Sequence, residues 1–183
     1  MKRISVITPV LNEEDNVLAC HAAVAALFAA DGPLAAYELE HIFADNASSD
    51  ATPAILTRLA SEDHRTKVIF NARNFGFFRS NFNALRYATG DAVLVFLPAD
   101  LQDPPDLLPE MVKLWENGYD VVAGERDNRQ ETWALRTSRR MFYRIVNRIS
   151  DFRIPENVGE FQLIDRKVWR AVVAHEDQYP YIR

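Results

Sequence analysis

Acids that follow apolar runs are the residues of this chain best suited to chemistry. Ile4–Val10 leads into Leu11-Asn12-Glu13-Glu14-Asp15. Glu38–Ala44 leads into Asp45-Asn46-Ala47-Ser48-Ser49-Asp50, and Ala92–Leu97 into Pro98-Ala99-Asp100-Leu101-Gln102-Asp103. Acids alone repel phosphate. Acids holding Mg2+ or Mn2+ attract it, because hard oxygen ligands suit a hard cation that bridges a diphosphate. Such an ion stabilises a departing nucleoside diphosphate as a Lewis acid. Arginines downstream can hold a second phosphate bidentately.

Other chemistries lack their parts. There is no G-x-G-x-x-G and no G-x-x-x-x-G-K-[ST], so the usual phosphate-binding loops are missing. No histidine–cysteine cluster has zinc spacing, and no G-x-S-x-G elbow occurs. The single cysteine, Cys20, lies in an apolar run and reads as a buried thiol. The four histidines are scattered and receive no role.

These acids need a scaffold. Strands are expected at Ile4–Val10, Glu38–Ala44, Lys67–Asn71, Ala92–Leu97, Tyr119–Ala123 and Phe161–Ile164, with the clearest apolar, β-branched runs at Ile4–Val10 and Ala92–Leu97. Between them helices are expected from an Asn12 cap to about Ala30, from Thr52-Pro53 to about Ala60, near Ser80–Ala88, and over Asp106–Glu116. Two more are expected over Leu135–Ile149 and Arg166–Ala174, with a polar loop at Glu125–Glu131. Strand and helix alternate, which argues for a parallel α/β sheet. Ligands of such sheets bind outside the carboxyl ends of the strands. The acids above stand at those ends.

The 183 residues, 48% hydrophobic and 26% charged, suit a globular domain with a sizeable core. A net charge of −5 argues against a general nucleic-acid binder. One region reverses that charge. Arg136, Arg140, Arg144 and Arg148 recur every four residues beside Arg139, opposite an apolar stripe of Phe142, Ile145, Val146 and Ile149. This amphipathic helix is either a solvated surface helix or a contact for anionic lipid headgroups, and the local reversal of charge favours an anionic partner. Neither a signal peptide nor a membrane span is evident, since the longest low-polarity run, Val17–Ala30, contains His21 and is short.

Six stretches taken in order resemble a known family. They are TPVLNEEDN (8–16), FADNASSDAT (43–52), ARNFGFFRSNFNAL (72–85), TGDAVLVFLPADLQDPP (89–105), YDVVAGER (119–126) and NVGEFQLIDRKV (157–168). The set is similar to family 2 glycosyltransferases with a GT-A fold, and more closely to polyprenyl-phosphate glycosyltransferases and dolichyl-phosphate mannose synthases. The resemblance implies a Rossmann-like, mostly parallel central sheet flanked by helices. It implies one catalytic domain over 1–183, the N-terminal part of a longer membrane-associated protein. The activity implied is transfer of a sugar from a nucleoside-diphosphate sugar to a polyprenyl phosphate, at the cytoplasmic face of a membrane and with Mg2+ or Mn2+.

By the same resemblance Pro9, Leu11 and Glu13 line a nucleotide pocket, and Asp45 contacts base or ribose. Asp100 and Gln102 match metal and diphosphate positions. Arg126 and Arg136 match arginines that hold phosphate, and Arg140 joins them on the acceptor side. Glu160 and Gln162 match a polar pair near sugar and acceptor. Three positions depart from the pattern: Asn46 and Ala47 replace an acid and a glycine, and Pro98 stands where Asp-x-Asp has its first carboxylate. Two rival functions remain, a soluble transferase acting on a sugar hydroxyl and a non-catalytic nucleotide-sugar binder.

Plainer roles stand beside these. Asp103-Pro104-Pro105-Asp106 reads as a helix start, and Glu14 and Asp15 as first-turn acids. Asp45 has the alternative of a turn acid. Phe75, Phe77, Phe78 and Phe82 read as core and loop packing.

Overall fold

The computed structural model describes residues 1–125 and 158–175, with positions 141 and 148 between them. Six strands form one sheet: β1 (Lys2–Val10), β2 (Tyr37–Asp45), β3 (Thr66–Phe70), β4 (Ala92–Leu94), β5 (Val121–Glu125) and β6 (Val158–Asp165). The described helices are α1 (Val17–Leu27), α2 (Thr52–Glu62), α3 (Phe77–Leu85), α4 (Leu108–Glu116) and α5 (Arg166–Ala174), with a 3-10 turn at Pro105–Leu107. The chain divides into two compact units, residues 1–123 with the segment from Glu160, and residues 124–159. Of the second, the described residues include exposed Met141 and Arg148 and buried Gly159.

The strand order is β3-β2-β1-β4-β6-β5. β1 pairs in parallel with β2 on one side and β4 on the other, and β3 extends β2 in parallel. β6 runs antiparallel to β4, with Leu94 opposite Leu163. Both faces of the sheet are covered, so its central strands are buried on both sides rather than alternating, with Ser5, Thr8, Glu40 and His41 among the buried polar exceptions. Ile4, Val6 and Leu94 pack with Val24 of α1 and Met111 of α4. Ile7, Val93 and Ile164 pack with Leu85 of α3 and Trp169 of α5. A third cluster seats Leu56 of α2 on Val10 and Phe43.

Four local expectations are corrected. Asn12 does not cap α1: its φ of 55° is left-handed, the helix begins at Val17, and no acid lies in its first turn. Asp103 is no cap either; it is buried ahead of the 3-10 turn, and Leu107 holds the N-cap position of α4. The third helix starts at Phe77, before Ser80, because Gly76 at φ 83° turns the chain into it. β5 starts two residues late. Gly118, at φ 96°, ends α4, and the Tyr119 amide bonds back to the Leu114 carbonyl at 3.3 Å, a helix-closing contact that consumes Tyr119. The expected helix over 135–149 lies outside the described residues, apart from positions 141 and 148.

A polar chain runs through the core under α1. The Thr8 hydroxyl meets His41 Nε2 at 3.0 Å, the His41 and His21 Nδ1 atoms meet at 3.3 Å, and His21 Nε2 meets Asp63 at 3.2 Å. One neutral tautomer set satisfies every link: Thr8 donates to His41, His41 to His21, and His21 to Asp63. Burial holds His41 well below the usual histidine range, and His21 adds to that. Burial also lowers His21, against the pull of Asp63. Above the unfolded value of about 6.5 both states are neutral and the fold keeps its full stability. Below it the unfolded chain takes protons that the folded pair refuses, so stability falls with pH. Urea melts should therefore show a midpoint that drops from pH 7.5 to pH 5.5, with a smaller drop in His41→Gln. A flat wild-type profile would refute this account.

Candidate functional site

The order β3-β2-β1-β4 reverses direction between β1 and β4, and a crevice opens at such a switch point beyond the carboxyl ends. A cleft of about 340 Å3 lies there. Pro9, Leu11 and Glu13 line it from the end of β1, and Phe96, Pro98 and Asp100 from the end of β4. Asn46 after β2 and Asn74, Phe77 and Ser80 around the start of α3 complete the wall. The sheet thus brings Pro9, Leu11, Glu13 and Asp100 together from distant parts of the sequence. Asp45, Gln102, Glu160 and Gln162 are not among its lining residues.

The walls are laced loop to loop. The Asn12 amide donates to Ser48 Oγ at 2.9 Å, and Asn12 Oδ1 accepts from the Ser49 amide at 2.8 Å. Glu13 donates its amide to Thr52 Oγ1 at 2.8 Å, and Glu14 accepts from the Ala51 amide at 2.8 Å. Glu14 therefore ties the loops after β1 and β2 together rather than serving a helix start. Asp45 is buried and its carboxylate accepts from the Ser48 amide at 3.2 Å, the work of a turn acid. Left-handed backbone recurs at Asn12, Ala47 and Leu101, one in each loop after β1, β2 and β4. Each non-glycine residue held so costs about 1 kcal/mol or more, and such strain concentrates at functional sites. Ala47, with φ 66°, shows why glycine suits that position.

Asp100 is exposed, and Gln102 grips it: the side-chain amide donates at 2.6 Å and the backbone N–H at 3.2 Å. The Leu101 amide closes the turn onto the Pro98 carbonyl at 3.1 Å. Among the described residues no lysine or arginine lines the cleft, and no group of three His, Cys, Asp or Glu side chains could by itself hold a metal. An ion of the magnesium class takes one or two carboxylates and draws its other ligands from water and substrate phosphates. Asp100 fits that need, while the Gln102 contacts that are present are N–H groups donating to its carboxylate. Pro98 presents an apolar ring to the cleft where a second carboxylate would sit.

Elsewhere the expected residues are spread. Glu160 is half-buried on β6, and Gln162 is buried with its carbonyl accepting from the Val95 amide at 2.8 Å. Arg126, Arg136 and Arg140 lie outside the described residues. Cys20 is buried and its thiol is pushed up to about 12, chiefly by burial, which leaves it unreactive. Asn46, Asn74 and Phe77 line the cleft although the sequence singled out none of them for binding. Phe77 meets the Phe96 ring edge-on at 4.4 Å, so one of the four clustered phenylalanines shapes the cleft as well as packing.

Residues 5–172 match the model of glycosyl transferase family 2, and the chain belongs to that family. It is 37% identical over 171 residues to an uncharacterized glycosyltransferase of Synechocystis, covering 92% of this chain and 52% of that protein. It is 36% identical over 167 residues to a prophage bactoprenol glucosyl transferase homolog of Escherichia coli, covering 91% of this chain and 53% of that one. The chain thus spans about half the length of the curated relatives it matches. Its fold is GT-A. Glucosyl-3-phosphoglycerate synthase of Mycobacterium tuberculosis, solved with Mn2+, UDP and glucosyl-3-phosphoglycerate, shares it with a TM-score of 0.60 at 22% identity, over 91% of this chain and 58% of that one. A mannosyltransferase of Pyrobaculum calidifontis, solved with GDP-Man and Mn2+, gives 0.58 at 21% identity, over 93% of this chain and 46% of that one.

Proposed function

We propose that this chain binds a nucleoside-diphosphate sugar in the cleft between β1 and β4 and transfers the sugar to a polyprenyl phosphate. The observation that carries the reading is the placement of Asp100 at the switch point, across the cleft from Pro9, Leu11 and Glu13. The bactoprenol glucosyl transferases among the relatives support the acceptor. In this reading Pro9, Leu11 and Glu13 line the nucleotide's pocket, and the buried Asp45 supports it by holding the turn after β2. A divalent cation bound with the donor would neutralise the diphosphate and act as Lewis acid for its departure.

The acceptor phosphate is already an anion, so its oxygen attacks the anomeric carbon without a base to remove a proton. The bond to the diphosphate breaks as the new one forms, and the nucleoside diphosphate carries away the electron pair. The chain's task is to hold two anions in line, which is positioning and electrostatics. Arg126, Arg136 and Arg140 are assigned to the acceptor phosphate, and Glu160 and Gln162 to a sugar hydroxyl or the acceptor. Among the described residues no helix is long and apolar enough to cross a membrane. We place the chain at the cytoplasmic membrane face through the arginines between Arg136 and Arg148, as the catalytic part of a longer protein.

A thermal-shift panel of UDP, GDP, CDP and dTDP, each with and without Mn2+, tests the donor site. A nucleotide present at a hundred times its Kd stabilises by about 2.7 kcal/mol. For a chain of this size that raises Tm by roughly 5–10 °C. One nucleotide should give such a shift with Mn2+ and less without it. No shift with any of the four would sink the reading.

A further inference from the structure

Asn46 is buried, and both ends of its amide are in use. Its Nδ2 donates to Asn74 Oδ1 at 2.8 Å, and its Oδ1 accepts from the Phe75 amide at 3.0 Å. Its own backbone amide donates to the Val10 carbonyl at 2.9 Å, one step beyond the last β1–β2 pair, Val10 and Asp45. Asn74 Oδ1 accepts a second bond from the Gly76 amide at 2.8 Å. Gly76, at φ 83°, is the pivot from which α3 begins, and the next residue, Phe77, reaches Phe96 across the cleft wall. One residue thus joins three segments: its backbone ties the end of β2 to the end of β1, and its side chain ties both to the turn that launches α3.

We infer that Asn46 is a positioning residue for donor binding, its side-chain amide fixing the 74–76 turn to the end of β2, which its backbone N–H holds against β1, and so setting where Asn74 and Phe77 stand in the cleft. The inference rests on the donor-site reading above. The residue type is decisive because the position needs a donor and an acceptor at once. An aspartate has the same shape but only accepts when ionised. It would keep the Phe75 amide and face Asn74 Oδ1 oxygen to oxygen. Rotating the Asn74 amide to offer its NH2 instead would set that group against the Gly76 N–H, so neither arrangement satisfies the turn. Neutrality matters as well, since Glu13 and Asp100 already put two carboxylates on the cleft.

The test is a double-mutant cycle read by calorimetric titration of the tightest of the four nucleoside diphosphates with Mn2+. Asn46→Asp should weaken binding about tenfold at pH 7.5, the scale of a lost buried hydrogen bond. In an Asn74→Ala background, where the turn is already released, the same substitution should cost less than about twofold. The ratio of variant to wild-type affinity should also narrow towards pH 5.5, because burial raises the new carboxyl and its protonated form regains the missing donor. Wild-type affinity in Asn46→Asp, an equal penalty in both backgrounds, or a ratio flat with pH overturns the inference; an equal penalty means that the charge acts directly on the diphosphate. If Asn46→Asp does not fold, Asn74→Ala alone decides, since that side chain is exposed: it should bind about tenfold more weakly, and wild-type affinity there refutes the proposal. A wild-type chain that binds none of the four nucleotides sinks the donor reading, and this one with it.

Discussion

Asp100→Ala is expected to lower sugar transfer by about 10²–10³-fold, the usual cost of removing one group aimed at developing charge. The size follows from how few groups share the work. Glu13 and Asp100 are the two carboxylates lining the cleft, and Glu13 Oε2 already accepts from Asn16 Nδ2 at 2.7 Å. Asp100 sits at the mouth, held from one side by Gln102, with lone pairs left for a cation. Asp100→Asn separates shape from charge. It keeps the turn and can still accept from Gln102, yet it removes the anionic ligand, so it should lose nearly as much as Ala. Both variants should need more Mn2+ for half-maximal rate. Pro98→Asp is the converse, since it restores a second carboxylate and should lower that Mn2+ requirement. Transfer assays over a Mn2+ series decide it. If Asp100→Asn keeps more than about a tenth of the wild-type rate, the carboxylate is not the diphosphate's anchor. Unchanged turnover in Asp100→Ala would also remove the role assigned to the loop after β4.

The sheet was legible because its innermost strands, β1 and β4, fall in largely apolar runs. Ile4–Val10 announces a doubly covered strand, and the loops that follow such strands are short enough to point at the acids. Pro9, Leu11, Glu13 and Asp100 therefore emerge in one place. Backbone handedness was not legible. Asn12 reads as a cap by residue type, and only the structure shows it at φ 55° lacing to Ser49 instead. Pairing between distant side chains was also hidden. His21 and His41 look like strays because their contact depends on how α1 lies on β2. Asn46 reads as a missing acid, and its value lies in Asn74 and Phe75, which sequence spacing does not bring to it. Glu40 shows the same blindness. Its place between Glu38 and His41 suggests a solvated residue, yet it is among the most buried charged groups of the described residues.

Glu40→Ala should cost about 2–3 kcal/mol of folding stability, the upper part of the penalty for leaving a buried donor without its acceptor. Its carboxylate accepts from the Ser5 hydroxyl, the Lys67 ammonium, the Thr89 amide at 2.8 Å and the Thr89 hydroxyl at 2.7 Å. Burial pushes the carboxyl up, but these bonds outweigh it and hold the group below its ordinary value. Its stabilising contribution is thus present above the unfolded value of about 4.3 and lost as pH falls through the lower folded one. Ser5, in turn, accepts from the Gly90 amide at 3.0 Å, so one carboxylate joins β1, β2, β3 and the turn before β4. For a chain of this length the loss corresponds to a Tm roughly 5–10 °C lower. Lys67 is nearly half exposed, and Lys67→Met should cost only about 1 kcal/mol or less. The damage in Glu40→Ala comes instead from Ser5, whose hydroxyl stays buried without its acceptor, and from the lost tie to Thr89, which is itself exposed. Because Glu40 lies towards the amino ends of the strands, opposite the cleft, the variant should bind nucleotide with wild-type affinity at temperatures where it stays folded. Urea melts and titrations on the same protein test both halves. A Glu40→Ala chain within about 1 kcal/mol of wild type would mean water replaces the carboxylate, and the network is not what holds this end of the sheet.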